Sequence, residues 1–241
     1  MKTRKMDMTW DAQRDWPLLE SGLAGRLRRD CMEEWERFIH HPFVRGLADG
    51  TLPENAFQNF LIQDYLYLVQ YTRACALSVH KSTTVEDMRA AAALVSGILD
   101  TELPLHVNYC KGWGIDEDML RRAPESLELL AYSRFILDRA QTGDLLDLLV
   151  TLAPCMIGYG EIGARLHADP ATRRDGNPYW SWIALYGGQE FTDLVEGGIH
   201  RLNMVGAQYG ADARYPMLRA EFNTAVRLEA AFWEAGQGAG A

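Results

Sequence analysis

Apolar residues recur at three- and four-residue intervals along most of the chain, the spacing of one helix face. Short turn signals punctuate the pattern: His41-Pro42, Ala48-Asp49-Gly50, Lys111-Gly112-Trp113-Gly114, Thr142-Gly143-Asp144, Asp169-Pro170 and Tyr209-Gly210. No run alternates apolar with polar residues between hairpin turns, so strands are not expected. The breaks predict helices over 18–40, 54–81, 84–111 with an interruption near Pro104, 125–141, 144–168, 178–187, 189–208 and 214–235. Pro53 suits the first turn of the second of these. Long helices joined by short loops predict an all-α bundle. Neither an internal repeat nor a dividing linker stands out. One helical domain over 18–235 is therefore expected, preceded by an extension over 1–17 and followed by a flexible tail over 236–241.

The chain has 241 residues, 48% hydrophobic, 24% charged and 10% aromatic, which suits a folded domain and excludes wholesale disorder. Lys and Arg number 24 against 33 Asp and Glu, a net charge of −9, so a broad nucleic-acid-binding surface is not expected. The four cysteines, Cys31, Cys75, Cys110 and Cys155, form no CxxC pair and read as reduced thiols. The first sixteen residues lack the apolar core of an export signal, and no uninterrupted apolar run of about 18 residues occurs. The expectation is a cytoplasmic protein that neither spans nor binds a membrane.

Polar residues inside apolar stripes carry the candidate chemistry. Phe57, Phe60, Leu61, Leu68, Tyr71, Cys75 and Ser78 form one helical stripe, and Asp64 falls within it. Ile62, Tyr65, Leu66 and Val69 make the other side apolar as well, so this helix is expected to be buried. Asp64 then reads as an inward carboxylate, either a structural acid tied to a neighbour or a functional one. Glu229 shares a face with Phe222, Val226 and Trp233 and reads as a second inward acid. Two such acids in one bundle fit a metal site or a polar ligand pocket. Cys155 shares a face with Leu148, Thr151, Leu152, Tyr159 and Ile162, directly after Pro154, where a kink is expected. An inert core thiol and an activated nucleophile are both open there. Tyr132, on the stripe Leu129, Phe135 and Ile136, and Tyr67, three residues after Asp64, are buried hydroxyls in need of partners.

Metal ligation has one candidate pair, Glu102 and His106, four residues apart. A di-iron bundle needs Glu-x-x-His pairs, and none occurs; Glu161 and His167 have the wrong spacing. Neither a phosphate loop nor a GxSxG elbow is present.

Several blocks in order resemble one family. The stretch from His41 to Pro53, then Phe57, Phe60 and Gln63-Asp64-Tyr65-Leu66-Tyr67-Leu68, is similar to the thiaminase II (TenA) family. So are Leu152-Ala153-Pro154-Cys155 with Tyr159, the segment Trp182 to Phe191, and Glu229-Ala230-Ala231-Phe232-Trp233, a likeness covering roughly residues 25–235. The resemblance implies a haem-oxygenase-like fold without haem, a homotetramer, no cofactor and no metal. It implies hydrolysis of 4-amino-5-aminomethyl-2-methylpyrimidine to the hydroxymethyl pyrimidine and ammonia, with thiamin as a further substrate. By the same resemblance Cys155 is the nucleophile at ring C6, Asp64 binds the exocyclic amino group, Glu229 faces the far ring nitrogen and Tyr132 bonds Glu229. Tyr67, Tyr159 and Tyr186 match pocket tyrosines, and Cys155 places the chain in the cysteine-containing form. Met156, Ile157 and Gly158 stand where relatives carry bulkier aromatics. Arg73 is expected in an ion pair rather than in the pocket. The competing classes are a haem-oxygenase-like metal oxidase or quinone-forming enzyme, and a non-catalytic pyrimidine-binding protein.

Overall fold

The computed structural model describes residues 16–238, and these are helical with no strand among them. A short 3-10 turn, Pro17–Leu19, precedes α1 (Gly22–Asp30), α2 (Met32–Ile39), α3 (Pro42–Asp49) and α4 (Glu54–Lys81). Then come α5 (Val85–Gly97), a π turn (Ile98–Glu102), α6 (Leu103–Lys111), α7 (Glu117–Arg122) and α8 (Leu127–Thr142). The chain closes with α9 (Leu145–Ala168), α10 (Trp180–Tyr186), α11 (Gln189–Gln208) and α12 (Ala211–Gly238). Most of the expected extension over 1–17 and residues 239–241 of the expected tail lie outside the described residues. Helix α12 continues through Gly236 to Gly238, three residues beyond the expected end.

The expected helix over 18–40 is two helices. Cys31 leaves helical geometry at φ −116 and ψ 23, which sends α1 against α11 and α2 against α12 and α9. The signals at His41-Pro42 and Ala48-Asp49-Gly50 are the caps of α3 rather than turns. The His41 ring accepts the Phe43 N–H, Pro42 fills the first turn, and Gly50 ends the helix at φ 73. Helix α7 is a further element that periodicity missed, because six residues give too little pattern; Asp116 caps it by accepting the Met119 N–H. The interruption near Pro104 takes the form of a π turn. Pro104 has no N–H to continue the ladder, and its ring crowds the carbonyl four residues back, which widens the preceding turn.

Helices α4, α9 and α12 form the centre, with α8 packed on all three. Helix α9 is long and apolar enough to cross a membrane, yet most of it is buried inside the bundle, as a core helix requires. It remains helical through Pro154. Asp144 and Asp147 form a capping box at its start, and Arg214 of α12 pairs with both. Gly163 of α9 lies against the backbone of Tyr186, where a Cβ would fall 2.3 Å from the carbonyl carbon. That close approach seats α10 on α9. Gly158 likewise makes room for Phe38, since a Cβ there would meet the ring at 2.0 Å. An aromatic cluster fills the centre: Trp233 stacks on Phe43 at 4.7 Å and lies 4.9 Å from Phe60 and 5.3 Å from Tyr159.

A buried ion cluster ties α1 and α2 to α9. Glu161 is fully buried and accepts from Arg28 Nε at 2.9 Å, Arg28 Nη2 at 2.7 Å and Trp35 Nε1 at 2.9 Å. Arg165 adds a fourth donor at 2.6 Å. Burial acts to raise the Glu161 carboxyl, but Arg28, Arg165 and Trp35 outweigh it and hold the group below its ordinary value. Glu161 is therefore structural and makes no pair with His167. Glu161→Gln leaves two guanidinium groups in apolar surroundings without their counter-charge. It is expected to lower the unfolding free energy by ~3–5 kcal/mol in a urea titration. A loss under ~1 kcal/mol would show that Arg28 and Arg165 reach solvent when the charge is removed.

Candidate active site

Seven elements, the π turn among them, converge on one pocket. Helix α4 supplies Asp64 and, three residues on, Tyr67; α8 supplies Tyr132; α9 supplies Cys155 and Tyr159; α10 ends in Tyr186; α12 supplies Glu229; the π turn and α6 supply Glu102 and His106. Asp64, Cys155, Tyr159, Tyr186 and Glu102 border a small cavity of about 40 Å³ that opens towards solvent. Glu229, Tyr132 and Tyr67 stand behind Cys155, each at most 2% exposed. All seven residues singled out by the resemblance thus gather in one place. Arg73 is exposed and hydrogen-bonds Gln70, away from the cavity. Cys31, Cys75 and Cys110 are buried in the core and do not line the cavity, although Cys75 lies close enough to Glu102 for that carboxyl to help raise its thiol.

Two residues with no predicted role at an organic-ligand site also belong here. His106 is 4% exposed, and both its ring nitrogens are committed. Nδ1–H donates to the Glu102 carbonyl at 2.9 Å, and Nε2–H donates to Asp64 Oδ2 at 2.7 Å. Tyr186 Oη donates to Glu102 Oε1 at 3.1 Å. Glu102 and His106 therefore do not converge as metal ligands, and no cluster of three or more His, Cys, Asp or Glu suited to a metal occurs among the described residues. The i, i+4 spacing was visible in the sequence. Its partner Asp64, 42 residues away, was not.

The electrostatics follow from burial. Burial alone lowers the affinity of His106 for its second proton, but the hydrogen bond and charge of Asp64, with the charge of Glu102, raise it to about 9. His106 is therefore an imidazolium at neutral pH and pairs with Asp64. Burial raises Glu229 from 4.5 to about 8, with Asp64 adding to the rise and hydrogen bonds from Tyr132 and Cys155 opposing it. The Tyr132 hydroxyl donates to Glu229 Oε1 at 2.6 Å. Glu229 is thus a carboxylic acid that keeps its proton at neutrality. Cys155 is pushed well above an ordinary thiol by burial and by Glu229, Asp64 and Glu102. The pocket holds it as a thiol, so the turn at Pro154 does not activate it, and its proton has to leave during the reaction. Tyr67 stacks on Tyr132 at 4.8 Å. Its buried hydroxyl lies beside Cys155 and Tyr132.

A closed helical bundle with a thiol, a protonated acid and an ion-paired acid facing one cavity defines a protein class built to bind and transform a small polar molecule. The chain belongs to the TENA/THI-4/PQQC family, whose model matches residues 29–238. It is 36% identical over 211 residues to the aminopyrimidine aminohydrolase of Halalkalibacterium halodurans, covering 88% of this chain and 93% of that one. Among solved structures, a TenA family transcription regulator from a Silicibacter species is 39% identical with a TM-score of 0.83, over 88% of this chain and 95% of that one. A Shewanella denitrificans domain described as having a heme oxygenase-like fold matches with a TM-score of 0.68 at 14% identity, over 89% of this chain and 91% of that one. The fold is haem-oxygenase-like.

The raised Glu229 has a consequence for stability. Its carboxyl goes from 4.5 to about 8 on folding, so between those values the native chain holds more protons than the unfolded one. Its contribution to stability therefore falls as pH rises, by up to ~1.4 kcal/mol per unit. Glu229→Gln removes that dependence at nearly constant shape. Urea titrations from about pH 5 to about pH 8 are expected to show the native chain losing stability relative to Glu229→Gln. Parallel curves would mean that Glu229 exchanges its proton as freely folded as unfolded.

Proposed function

We propose that the chain hydrolyses 4-amino-5-aminomethyl-2-methylpyrimidine to the 5-hydroxymethyl pyrimidine and ammonia, as a thiaminase II of thiamin salvage. The observation that carries this reading is the Cys155 thiol beside a protonated Glu229, with Asp64 on the neighbouring wall of the same pocket.

The pyrimidine is a poor electrophile until a ring nitrogen gains a proton. Glu229 gives its proton to N1 and takes the thiol proton of Cys155, which adds as thiolate to C6. The acid is restored and the ring becomes an electron-rich adduct. The lone pair of the 4-amino group then moves into the ring, C4=C5 shifts to the exocyclic methylene, and the C–N bond pair leaves with ammonia. Asp64, held in place by His106, takes the hydrogen bond of the 4-amino group as that nitrogen becomes positive. Water adds to the methylene carbon and loses a proton. The bond to Cys155 then breaks, and the sulfur regains a proton by the reverse path through Glu229. Thiamin fits the same scheme with the thiazole as leaving group. Tyr159 and Tyr186, 5.4 Å apart, wall the cavity on which the ring packs.

Ammonia release from the aminomethyl pyrimidine, with thiamin in parallel, tests the assignment. The native chain is expected to turn over the aminopyrimidine, and Cys155→Ala is expected to fall to background while unfolding at a similar temperature. Substantial turnover by folded Cys155→Ala would sink the covalent route.

A cytoplasmic homotetramer completes the proposal. All four cysteines are free, which suits a reducing compartment. The segment from α5 to α6 leaves Val85, Met88, Leu99 and Leu105 exposed, an apolar surface that further copies of the chain would cover. Light scattering is expected to give four times the 27.2 kDa chain mass. A single chain mass at micromolar concentration would overturn the assembly.

A further inference from the structure

The charges around the cavity do not balance. His106 neutralises Asp64 at 2.7 Å, and Glu229 keeps its proton at neutrality. Glu102 is left. It borders the cavity, its Oε1 accepts the neutral hydroxyl of Tyr186, and His106, whose charge acts on it, is already paired with Asp64. Among the described residues, none that borders the cavity is a Lys or Arg. The rest of the wall around Glu102 is apolar, with Leu94, Ile98, Phe191 and Leu194. A carboxyl in such surroundings stays neutral or takes a cation brought by the ligand. Burial and Asp64 raise Glu102, and the charge of His106 opposes them.

The direction of the bound ring says which cation. This step rests on the reading of the pocket as an aminopyrimidine site. With N1 at Glu229, C6 at Cys155 and the 4-amino group at Asp64, C5 lies between C4 and C6. Its side arm then leaves the ring from between Asp64 and Cys155, towards the wall that carries Glu102 and Tyr186. We infer that Glu102 recognises the ammonium of the 5-aminomethyl arm and makes the site selective for substrates with a cationic leaving group. The contact has a chemical purpose. A protonated amine departs as neutral ammonia, taking the C–N bond pair, whereas an unprotonated one would have to depart as an amide anion. A carboxylate beside the nitrogen holds the proton in place until the bond breaks. The positive charge then passes to the ring, where Asp64 meets it. A phosphorylated arm would meet the same carboxylate with the wrong sign.

The test is a binding comparison that needs no turnover. In a Cys155→Ala background, affinities are measured by calorimetry for the 5-aminomethyl pyrimidine and for its neutral 5-hydroxymethyl counterpart, which differ by one heavy atom. The aminomethyl compound is expected to bind at least tenfold more tightly at neutral pH. Adding Glu102→Gln is expected to abolish that preference while changing affinity for the hydroxymethyl compound less than threefold. Glu102→Asp, which keeps the charge, is expected to retain part of the preference and serves if the Gln variant does not fold. An unchanged preference in Glu102→Gln, or an equal loss for both compounds, would overturn the role of Glu102 while leaving the pyrimidine site intact. Failure of the Cys155→Ala protein to bind either compound would instead remove the pyrimidine reading, and this inference with it.

Discussion

Asp64 and Glu229 are buried and Glu102 and Cys155 half-buried in an apolar helical bundle, and the way each acid is neutralised there governs the rest of the site. An isolated charge in such surroundings is costly by several kcal/mol or more, so each acid has to be neutralised, paired or left waiting for a partner. The three take different courses. Asp64 is paired by His106, Glu229 keeps its proton, and Glu102 is held by the hydroxyl of Tyr186. Acids of one chemical type thereby acquire different protonation behaviour within one cavity, as a site that must move protons requires.

The bundle supplies the rigidity that this arrangement needs. Asp64, Cys155 and Glu229 each lie on a long central helix, α4, α9 or α12, flanked by the aromatic cluster around Trp233. Groups on packed helices keep their separation better than groups on loops. The π turn before Pro104 is the irregular piece, and it brings Glu102 to the cavity and His106 to Asp64. Such turns recur at functional sites because the wider turn re-aims side chains that a regular helix would direct elsewhere. The Glu161 cluster has the opposite character. Four donors saturate it, and it joins α1 and α2 to α9.

The Cys155 thiol illustrates how environment overrides residue type. A helix start or a cation beside the sulfur activates a thiolate, but here the one cation of the site, among the described residues, is paired with Asp64. Burial and three acids keep the sulfur protonated, so reactivity has to come with the substrate, through the exchange of protons at Glu229. The same environment that shields the thiol from indiscriminate chemistry ties its use to a ring that accepts a proton at the matching position.

Much of the bundle was legible in the chain because helix periodicity and burial are local and additive. The inward acids Asp64 and Glu229 were readable from their places in apolar stripes, and Tyr132 from its stripe of Leu and Ile. The break at Cys31, helix α3 and helix α7 were not, because short helices carry too few turns for a pattern and caps look like turns. The likeness to known sequences located Cys155, Tyr159 and Tyr186 as a group, where periodicity alone favoured an inert thiol and core tyrosines. Only the tertiary structure decided the pairing of His106 with Asp64, the isolation of Glu102 and the shift of Glu229. Hydrogen bonds between residues 42 or 97 positions apart, and the dielectric around them, depend on how helices meet. Spacing along the chain records which face a residue shares; it holds no information about which distant face is brought opposite.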